Sequence, residues 1–276
     1  MKNILVSAII TTRNEESNID ACLRSITAQS YGNIEIIVVD NNSQDKTKKI
    51  ANKYTKLVFD KGPERSAQRN FGAQRAKGDY LLFLDADMVL TPKVIEECVN
   101  KISNQAIGGI IIPEESYGVG FWAKVKTYER SFYVGDQTIE AVRFYPKKVF
   151  NELGKFDETI TGPEDWDLSD RVSKKFDIGR IKSFILHNEG RLSLWKLLEK
   201  KYYYAKGARS YISKNKLSTF SPKTIFFLRP VFYKDPKKII FHPILFCAMM
   251  VMLFAELAVG GIGYYSTVFF DKKNNL

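Results

Sequence analysis

The chain has 276 residues, 45% of them hydrophobic, which is enough to bury one good-sized core with a small appendage but hardly two ordinary domains. The formal net charge of +11 fits nucleic acid, an anionic membrane or a phosphorylated substrate as partner, so its distribution matters more than its size. Cys22, Cys98 and Cys247 lie far apart without a neighbouring histidine, which argues against a zinc site or disulfide framework and favours a reducing compartment.

The first part of the sequence alternates apolar strands with amphipathic helices. The opening apolar run is interrupted from Thr11 onward, too early for the hydrophobic region of a signal peptide, and is predicted to be a buried strand. Strands are predicted at 4–10, 34–39, 57–59 and 80–84. Helices are predicted from about residue 19, from about residue 47 and over 66–76. This alternation predicts an α/β fold with a mostly parallel sheet covered on both faces.

The middle of the chain continues the pattern less regularly. Helices are predicted at about 92–102 and 164–175, and strands at 110–112 and 178–186. The last of these strands leads directly into His187. The sequence contains no internal repeat and no low-complexity tract.

The C-terminal part is basic and aromatic before it becomes apolar. Between Lys200 and Lys238, lysine and arginine recur and Asp235 is the only acidic residue, while tyrosine and phenylalanine are interleaved among them. This mixture is typical of a membrane interface rather than of a nucleic-acid-binding surface. Residues 191–238 are therefore predicted to form interfacial helices.

Residues 244–270 are almost wholly apolar, interrupted by Glu256 and by Gly260, Gly261 and Gly263. At a rise of about 1.5 Å per residue, such a helix would reach roughly 40 Å, enough for one tilted membrane crossing. Because basic residues are concentrated before the apolar stretch, the positive-inside rule places the preceding part of the chain in the cytoplasm. The alternative is a hydrophobic core helix or a docked hairpin, which Glu256 and the glycines leave open.

Two aspartates follow the predicted strand of the segment YLLFLDADMV. Asp85 and Asp87 stand at its C-terminal end, where open α/β sheets bind ligands, and extended backbone points both carboxylates to the same side. Such a pair can hold a divalent cation, which helps when a diphosphate leaving group gains negative charge. The alternative is that one aspartate caps the turn and the other is solvated.

Other polar residues follow the neighbouring strands. Asp40 comes directly after the second strand, where a carboxylate can accept hydrogen bonds from a nucleobase or ribose. Thr11, Arg13 and Glu15 occupy the first strand-to-helix turn and are predicted to line the same crevice. Arg69 is predicted to face a diphosphate, with Arg65 as the weaker candidate on the same helix; either could instead be a surface charge.

Glu164 and Asp165 open a predicted helix in TGPEDWDLSDRV, where the helix dipole favours acids. Either capping or a general base that removes a proton from an acceptor hydroxyl explains them, and spacing alone does not decide. His187 is a candidate metal ligand beside the two aspartates, although a lone histidine is more often structural.

Together these segments resemble family 2 glycosyltransferases of the GT-A fold over roughly residues 4–190. The matching motifs, in chain order, are SAIITTRNEESNI, IIVVDNNSQDKT, GPERSAQRNFGA, GDYLLFLDADM and GKFDETITGPEDWDLSDRV, followed by His187 after the next strand. One such motif is a weak signal, whereas the ordered series is specific. The resemblance implies a Rossmann-like GT-A domain that binds a nucleotide-sugar, either a UDP-sugar or a GDP-sugar.

The resemblance also implies roles for the donor-side residues. It implies an inverting transfer by direct displacement with a divalent cation, Mn²⁺ or Mg²⁺. Asp85 would lie near the ribose and the metal, Asp87 would bind the metal, and His187 would complete the metal site as in some relatives. Asp40 would face the base. The predicted donor site is completed by Thr11, Arg13, Glu15, Arg69 and Ala86.

On the acceptor side, the resemblance implies that Asp165 is the catalytic base and that Glu164 helps to position the acceptor. The predicted acceptor is a hydroxyl, in a lipid-linked glycan or another saccharide, at the cytoplasmic membrane face. The predicted domains are a GT-A catalytic domain at 1–190 and a membrane segment with a tail at 239–276, joined by the interfacial helices. The catalytic domain comprises a nucleotide-sugar-binding half of about 1–90 and an acceptor half of about 91–190.

Three alternatives remain open from the sequence. A dolichyl-phosphate sugar synthase also has a membrane-bound acceptor, but a phosphate acceptor needs no general base, and the GPEDWDL segment favours a hydroxyl. A sugar nucleotidyltransferase should show a glycine-rich loop after the first strand, which TTRNEES lacks. A non-catalytic membrane scaffold gives no reason for a complete polar set around one crevice.

Overall fold

The structure is a computed structural model that describes residues 4–103, 106–137, 139–214, 225 and 229–274. The chain divides into two compact units. The first unit comprises Met1–Glu115, Gln137–Glu158 and Glu164–Asn188, and the second comprises Ser116–Asp136, Thr159–Pro163 and Glu189–Leu276. A compact unit need not be a domain that folds alone, so the domain boundaries from the sequence stay predictions.

The described strands form two sheets. They are β1 (Val6–Thr12), β2 (Ile34–Asp40), β3 (Val58–Asp60), β4 (Tyr80–Asp85), β5 (Met88–Leu90), β6 (Ile107–Ile111), β7 (Glu114–Val119), β8 (Val142–Pro146), β9 (Asp177–Arg180) and β10 (Ile185–Arg191). The larger sheet has the order β3-β2-β1-β4-β8-β6-β9, and the smaller has the order β5-β10-β7. In the larger sheet β8 alone runs antiparallel to its neighbours, so the prediction of a mostly parallel sheet is confirmed.

Helices connect and cover these strands. They are α1 (Ile19–Thr27), α2 (Thr47–Ala51), α3 (Arg65–Arg75), α4 (Val94–Ser103), α5 (Phe121–Ser131), α6 (Lys147–Glu152), α7 (Glu164–Ser173), α8 (Leu194–Lys214), α9 (Pro236–Phe241) and α10 (Pro243–Asn274). The first unit has two clusters of buried apolar side chains to which alternate residues of the central strands contribute. Ile10 and Leu84 belong to one cluster, and Ile9 and Phe83 to the other, as expected for strands buried on both faces.

One predicted strand is wrong in its extent. Residues 178–186 are not continuous, because β9 ends at Arg180 and β10, in the other sheet, begins at Ile185. Three consecutive amides between them donate to side chains of preceding segments. The amides of Lys182 and Ser183 donate to Glu97 Oε2 at 2.9 and 3.0 Å, and the amide of Phe184 donates to the hydroxyl of Thr91 at 3.1 Å.

The second unit is mainly helical and includes α5, α8, α9, α10 and a short 3-10 helix at Pro230–Tyr233. The parts of the predicted interfacial segment at 215–224 and 226–228 lie outside the described residues. Within the described residues, Pro243–Ser266 is the one helix segment long and apolar enough to cross a membrane. By length and composition alone, it is a weak indication of membrane association.

Candidate active site

Three parallel strands end at the same edge of the larger sheet and bring the predicted donor-side residues together. In the strand register, Thr11 of β1 lies beside Asp85 of β4, and Thr12 lies beside Asp40 of β2. The carboxyl ends of parallel strands are where open α/β sheets bind ligands. Residues predicted from separate motifs therefore meet at this edge.

Asp85 is bound by a hydroxyl and two guanidinium groups. Thr11 Oγ1 donates to Asp85 Oδ1 at 2.8 Å, and Arg69 Nη2 lies 3.0 Å from the same oxygen. Arg65 Nη1 lies 3.6 Å from Asp85 Oδ2. Burial by itself would raise the pKa of Asp85, but the charges of Arg69, Arg65 and Arg143 and the Thr11 bond together hold that pKa well below its usual range. Asp85 is therefore ionised at physiological pH.

Arg69 lies fully buried between two acidic segments of the first unit. One nitrogen, Nη2, pairs with Asp85, while Nη1 donates to Asp165 Oδ1 at 2.7 Å and lies 3.4 Å from Glu164 Oε1. Burial would lower the pKa of Arg69, but the three carboxylates raise it, so the guanidinium stays charged. The structure thus surrounds Arg69 with carboxylates at the place where the sequence predicts a diphosphate contact.

Glu164 and Asp165 open α7, as predicted, but their exposures differ. The side chain of Glu164 is 2% exposed, whereas that of Asp165 is 22% exposed. Burial raises the pKa of Glu164, the Arg65 charge opposes this shift, and the neighbouring Asp165 carboxylate adds to it. Of the two acids, Asp165 is the one that an incoming hydroxyl can reach.

Asp87 and His187 meet beyond the end of β4. Met88 of β5 pairs with His187 of β10, which places His187 Nε2 3.2 Å from Asp87 Oδ2. On its other side, His187 Nδ1 lies 3.5 Å from Glu114 Oε2. Among the described residues, no group of three or more His, Cys, Asp or Glu side chains is arranged to hold a metal ion by itself.

The Asp87 and His187 pair nevertheless fits a shared ion. Asp87 Oδ1 is buried and has no hydrogen-bond partner among the described residues, and its other oxygen faces an imidazole nitrogen. A divalent cation that binds a nucleotide usually takes one or two protein ligands and completes its shell with phosphate oxygens and water. A carboxylate with an imidazole suits Mn²⁺ better than Mg²⁺.

The remaining predicted donor-site residues lie around the same edge. Asp40 is fully buried and accepts bonds from the amide of Ser43, at 2.7 Å, and from its hydroxyl. Ala86 is buried and its amide donates to the carbonyl of Thr11, whereas Arg13 is exposed.

Glu15 belongs to the same acidic edge. Its carboxylate accepts a bond from Asn18 Nδ2 at 2.7 Å. Burial raises the pKa of Glu15, the Asn18 bond lowers it, and the charges of Asp87 and Asp85 raise it further. That repulsion shows that negative charge is concentrated here, as a cation site requires.

Sequence reasoning missed Arg143 and Glu114 in this region. The two form a buried ion pair, and Arg143 lies close enough to Asp85 and Asp165 for those charges to raise its pKa, against the effect of burial. Two signals were present: an arginine inside the apolar strand VRFYP, and an acid just after the apolar strand GGII.

Several buried polar atoms of these residues have no hydrogen-bond partner within the described part of the chain. They are Arg69 Nε, Asp87 Oδ1, Arg143 Nη1 and Glu164 Oε2. Buried polar atoms are almost always paired, so these exceptions make their residues candidates for contact with a ligand.

Solved structures with the same architecture support the fold assignment. The mannosyltransferase PcManGT from Pyrobaculum calidifontis, solved in complex with GDP-Man and Mn²⁺, matches with a TM-score of 0.58 over 96% of this chain and 75% of that one, at 16% identity. S. aureus TarS 1-349 matches with a TM-score of 0.57 over 92% of this chain and 81% of that one, at 16% identity. At this identity the likeness shows the fold alone, and it confirms the predicted GT-A fold.

Curated relatives share part of the sequence. Glycosyltransferase AglE of Haloferax volcanii is 37% identical over 111 residues, which are 37% of this chain and 36% of AglE. An uncharacterized glycosyltransferase of Rickettsia typhi is 29% identical over 181 residues, 59% of this chain and 57% of that protein. The matched segments thus span about a third of one of these relatives and just over half of the other.

The part of the chain that contains Asp40, Arg69, Asp85 and Asp87 also matches a family pattern, which ends before α7 and His187. That pattern, described as "Glycosyl transferase family 2", matches residues 7–157, more than half of the chain. This match counts against the nucleotidyltransferase and scaffold alternatives. The protein belongs to glycosyltransferase family 2.

Proposed function

We propose that the protein is an inverting, metal-dependent glycosyltransferase that moves a sugar from a nucleotide-sugar to a hydroxyl acceptor. The observation that carries this proposal is the position of Arg69. Its single guanidinium binds Asp85 at 3.0 Å and Asp165 at 2.7 Å, so the donor-side strand end and the candidate base are held one guanidinium width apart. Direct displacement needs the donor, the acceptor hydroxyl and the base to be held close together in a fixed geometry.

Asp165 is proposed as the base because it accepts a bond from Arg69 at 2.7 Å and is the more exposed of the two acids. It accepts the proton of the acceptor hydroxyl while that oxygen bonds to the anomeric carbon. The bond from this carbon to the diphosphate breaks in the same step, and its electron pair leaves with the nucleoside diphosphate. Glu164 is proposed to position the acceptor and Arg65, which lies 3.3 Å from Glu164 Oε1.

Asp87, His187 and Asp85 are proposed to hold a divalent cation at the donor diphosphate. The unpartnered Asp87 Oδ1 and the imidazole 3.2 Å from Asp87 Oδ2 support this assignment. When bound, the cation neutralises charge that develops on the departing diphosphate. The carboxylate and imidazole donors favour Mn²⁺ over Mg²⁺.

The donor is proposed to be a UDP-sugar or a GDP-sugar, since solved proteins of this fold were crystallised with UDP-GlcNAc and with GDP-Man. Asp40 is proposed to face the base, and Asp85 the ribose. The other proposed donor contacts come from Thr11, Arg13, Glu15, Arg69 and Ala86.

The acceptor is proposed to be a lipid-linked or other saccharide at the cytoplasmic face of a membrane. The support for this location is the basic segment that precedes α10 and the apolar character of Pro243–Ser266. Basic segments are attracted to the anionic lipids of the cytoplasmic leaflet. The GPEDWDL segment favours a hydroxyl over a phosphate acceptor, because a phosphate is already ionised and needs no base.

The test is transfer by the reconstituted protein with a panel of nucleotide-sugars and two acceptors, polyprenyl phosphate and a lipid-linked saccharide. Asp165→Asn should lower transfer to the saccharide by about 10²- to 10⁴-fold, the usual contribution of a general base. Asp170→Asn, further along α7, is the matched control and should transfer at the wild-type rate.

Transfer to polyprenyl phosphate that survives Asp165→Asn would overturn the proposal. The protein would then be a polyprenyl-phosphate sugar synthase, and Asp165 would have no role as a base. Omission of divalent cation should abolish transfer to either acceptor if the proposed metal site is correct.

A further inference from the structure

The apolar helix α10 has two different faces in the second unit. One face is buried against other residues of that unit and contains Met249, Met252, Leu253, Glu256 and Gly263. The opposite face is exposed and contains Ile244, Cys247, Val251, Phe254, Ala258, Ile262 and Tyr265. The exposed positions recur every three or four residues, so they form one continuous stripe along the helix.

The buried face is held by charge. Glu256 is 5% exposed, and its carboxylate lies 3.6 Å from Lys126 Nζ of α5 and 3.8 Å from Lys201 Nζ of α8. Lys126 also binds Glu129 at 2.6 Å. Moving α10 away would separate Glu256 from Lys126 and Lys201, and an uncompensated buried charge is costly. This cluster therefore stabilises the packing of α10 against α5 and α8.

The backbone of α10 also approaches α8 closely. A Cβ atom at Gly263 would lie 2.8 Å from the carbonyl oxygen of Tyr202 and 3.3 Å from Cβ of Ala205. A Cβ atom at the neighbouring Gly261 would meet nothing within 4 Å. The glycine at 263 is therefore required by the contact with α8, whereas that at 261 is not.

These contacts oppose a simple membrane crossing by α10. Glu256 lies near the middle of Pro243–Ser266, where a crossing helix would place it at the centre of the bilayer. The helix beside it, α8, exposes Lys196, Glu199 and Lys200. A crossing would either carry this charged helix into hydrocarbon or break the Glu256 contacts, and both are costly.

The exposed stripe continues into α9 and ends in positive charge. Ile240 and Phe241 are 72% and 73% exposed, and Ile244 is 75% exposed. The exposed Lys237 lies just before them, and Lys234, which pairs with Asp136 at 3.4 Å, has 65% of its side chain exposed. Apolar side chains beside exposed lysines complement a bilayer surface that carries anionic headgroups.

We propose that α10 lies in the plane of an anionic lipid surface, with its stripe in the bilayer and Glu256 fixed to α5 and α8, and does not cross the membrane. The inference rests on the membrane location in the proposed function but not on the transfer reaction. Lipid attachment and transfer are therefore measured separately.

The first test is flotation with vesicles of phosphatidylcholine, with and without phosphatidylglycerol. Wild-type protein should float with the anionic vesicles and much less with the neutral ones. Val251→Glu should weaken binding by about tenfold or more, because it puts a charge into the stripe. Gln74→Glu adds the same charge at an exposed position of the first unit and should bind as wild type.

Equal binding to neutral and anionic vesicles would overturn the assignment to an anionic surface. Protein that ignores vesicles and sediments as a dimer, with Val251→Glu restoring the monomer, would instead identify a second copy of the chain as the occupant. Transfer to a water-soluble acceptor should be unchanged in Val251→Glu, so a failure of the attachment proposal is distinguishable from a failure of the proposed function.

The second test is topology in sealed membranes from expressing cells. Cys22 and Cys98 are fully buried, so a Cys247→Ser background removes the remaining native thiol. In this background, Lys196→Cys reports the side on which α8 lies, and Lys273→Cys reports the side on which α10 ends. Both introduced thiols should react with an impermeant maleimide from the same side. Reaction of the two positions from opposite sides would show that α10 crosses and would overturn the proposal.

A glycine pair tests the docking of α10 directly. Gly263→Leu should displace α10 from α8 and make the helix accessible to protease, whereas Gly261→Leu should leave protection unchanged. Equal protection of both variants would contradict the docked arrangement.

Discussion

The two units contain buried ionic clusters of opposite design. In the first unit a buried cation, Arg69, is surrounded by the carboxylates of Asp85, Glu164 and Asp165. In the second unit a buried anion, Glu256, is surrounded by the ammonium groups of Lys126 and Lys201. The Arg69 cluster includes polar atoms without a hydrogen-bond partner, while within the described residues no atom of Glu256, Lys126 or Lys201 is of that kind. The two clusters therefore differ in how completely their buried polar atoms are paired.

Among the substitutions that test this comparison, removal of the buried cation Arg69 should have the largest effect on stability. Arg69→Met leaves three carboxylates together without their shared partner, and we expect a loss of about 3–5 kcal/mol in the free energy of unfolding. Urea denaturation followed by circular dichroism measures it. Arg75→Met, at an exposed arginine of the same helix, is the control and should change stability much less. Equal losses in the two variants would show that Arg69 is not the centre of the cluster.

The second cluster should make the stability of the protein depend on pH. Burial lowers the pKa of Lys201 to about 8, and the Glu256 carboxylate offsets part of that shift. Between this pKa and the value of about 10.4 in an unfolded chain, the unfolded state binds the additional proton, so stability should rise with pH. Over that pH interval, Lys201 contributes at most about 3 kcal/mol to the rise in the free energy of unfolding.

The measurement is the difference between wild type and Lys201→Met across pH 7 to 10, since the other charges facing Lys201, on Lys126, Glu129 and Arg229, are common to both proteins. The extra rise of the wild type should be absent in Lys201→Met and present in Lys200→Met, an exposed neighbour. Parallel curves for wild type and Lys201→Met would contradict the lowered pKa.

The smallest predicted effect is a difference in stability between variants of two adjacent threonines. Thr11→Val removes the hydroxyl that donates to Asp85 at 2.8 Å, and a bond to a charged group contributes about 1.5–3 kcal/mol. Thr12 Oγ1 is buried but has no partner among the described residues, so Thr12→Val should cost nothing. Thermal unfolding of the two variants, with and without nucleotide, tests this prediction. A larger loss of stability in Thr12→Val than in Thr11→Val would contradict it.

Local patterns predicted much of the fold and which strand ends carry the candidate donor-side residues. The apolar strands before Asp40 and Asp85 were recognisable because both faces of a parallel strand are buried, and the register then fixes which strand ends meet. The break before Ile185 was not predictable, because it depends on side chains of Thr91 and Glu97 that are remote in sequence.

Long-range pairings account for the rest. Arg69 and Asp165 are 96 residues apart in the sequence. Residue spacing therefore could not predict that they pair, and it indicated only a candidate diphosphate contact for Arg69. Glu256 was correctly singled out as unusual in an apolar helix, but its partners on α5 and α8 could not be read from its neighbours. A charge inside an apolar run indicates that a partner exists without saying where it lies.

The two-faced helix has a practical consequence for anyone who wants a water-soluble form of this enzyme. Truncation before Pro243 would remove the apolar stripe, but it would also leave Lys126 and Lys201 facing each other without Glu256 and expose the surfaces that Met249 and Leu253 cover. Redesign of the stripe alone, with polar residues at Ile244, Val251 and Ile262, keeps the helix and its ionic contacts in place.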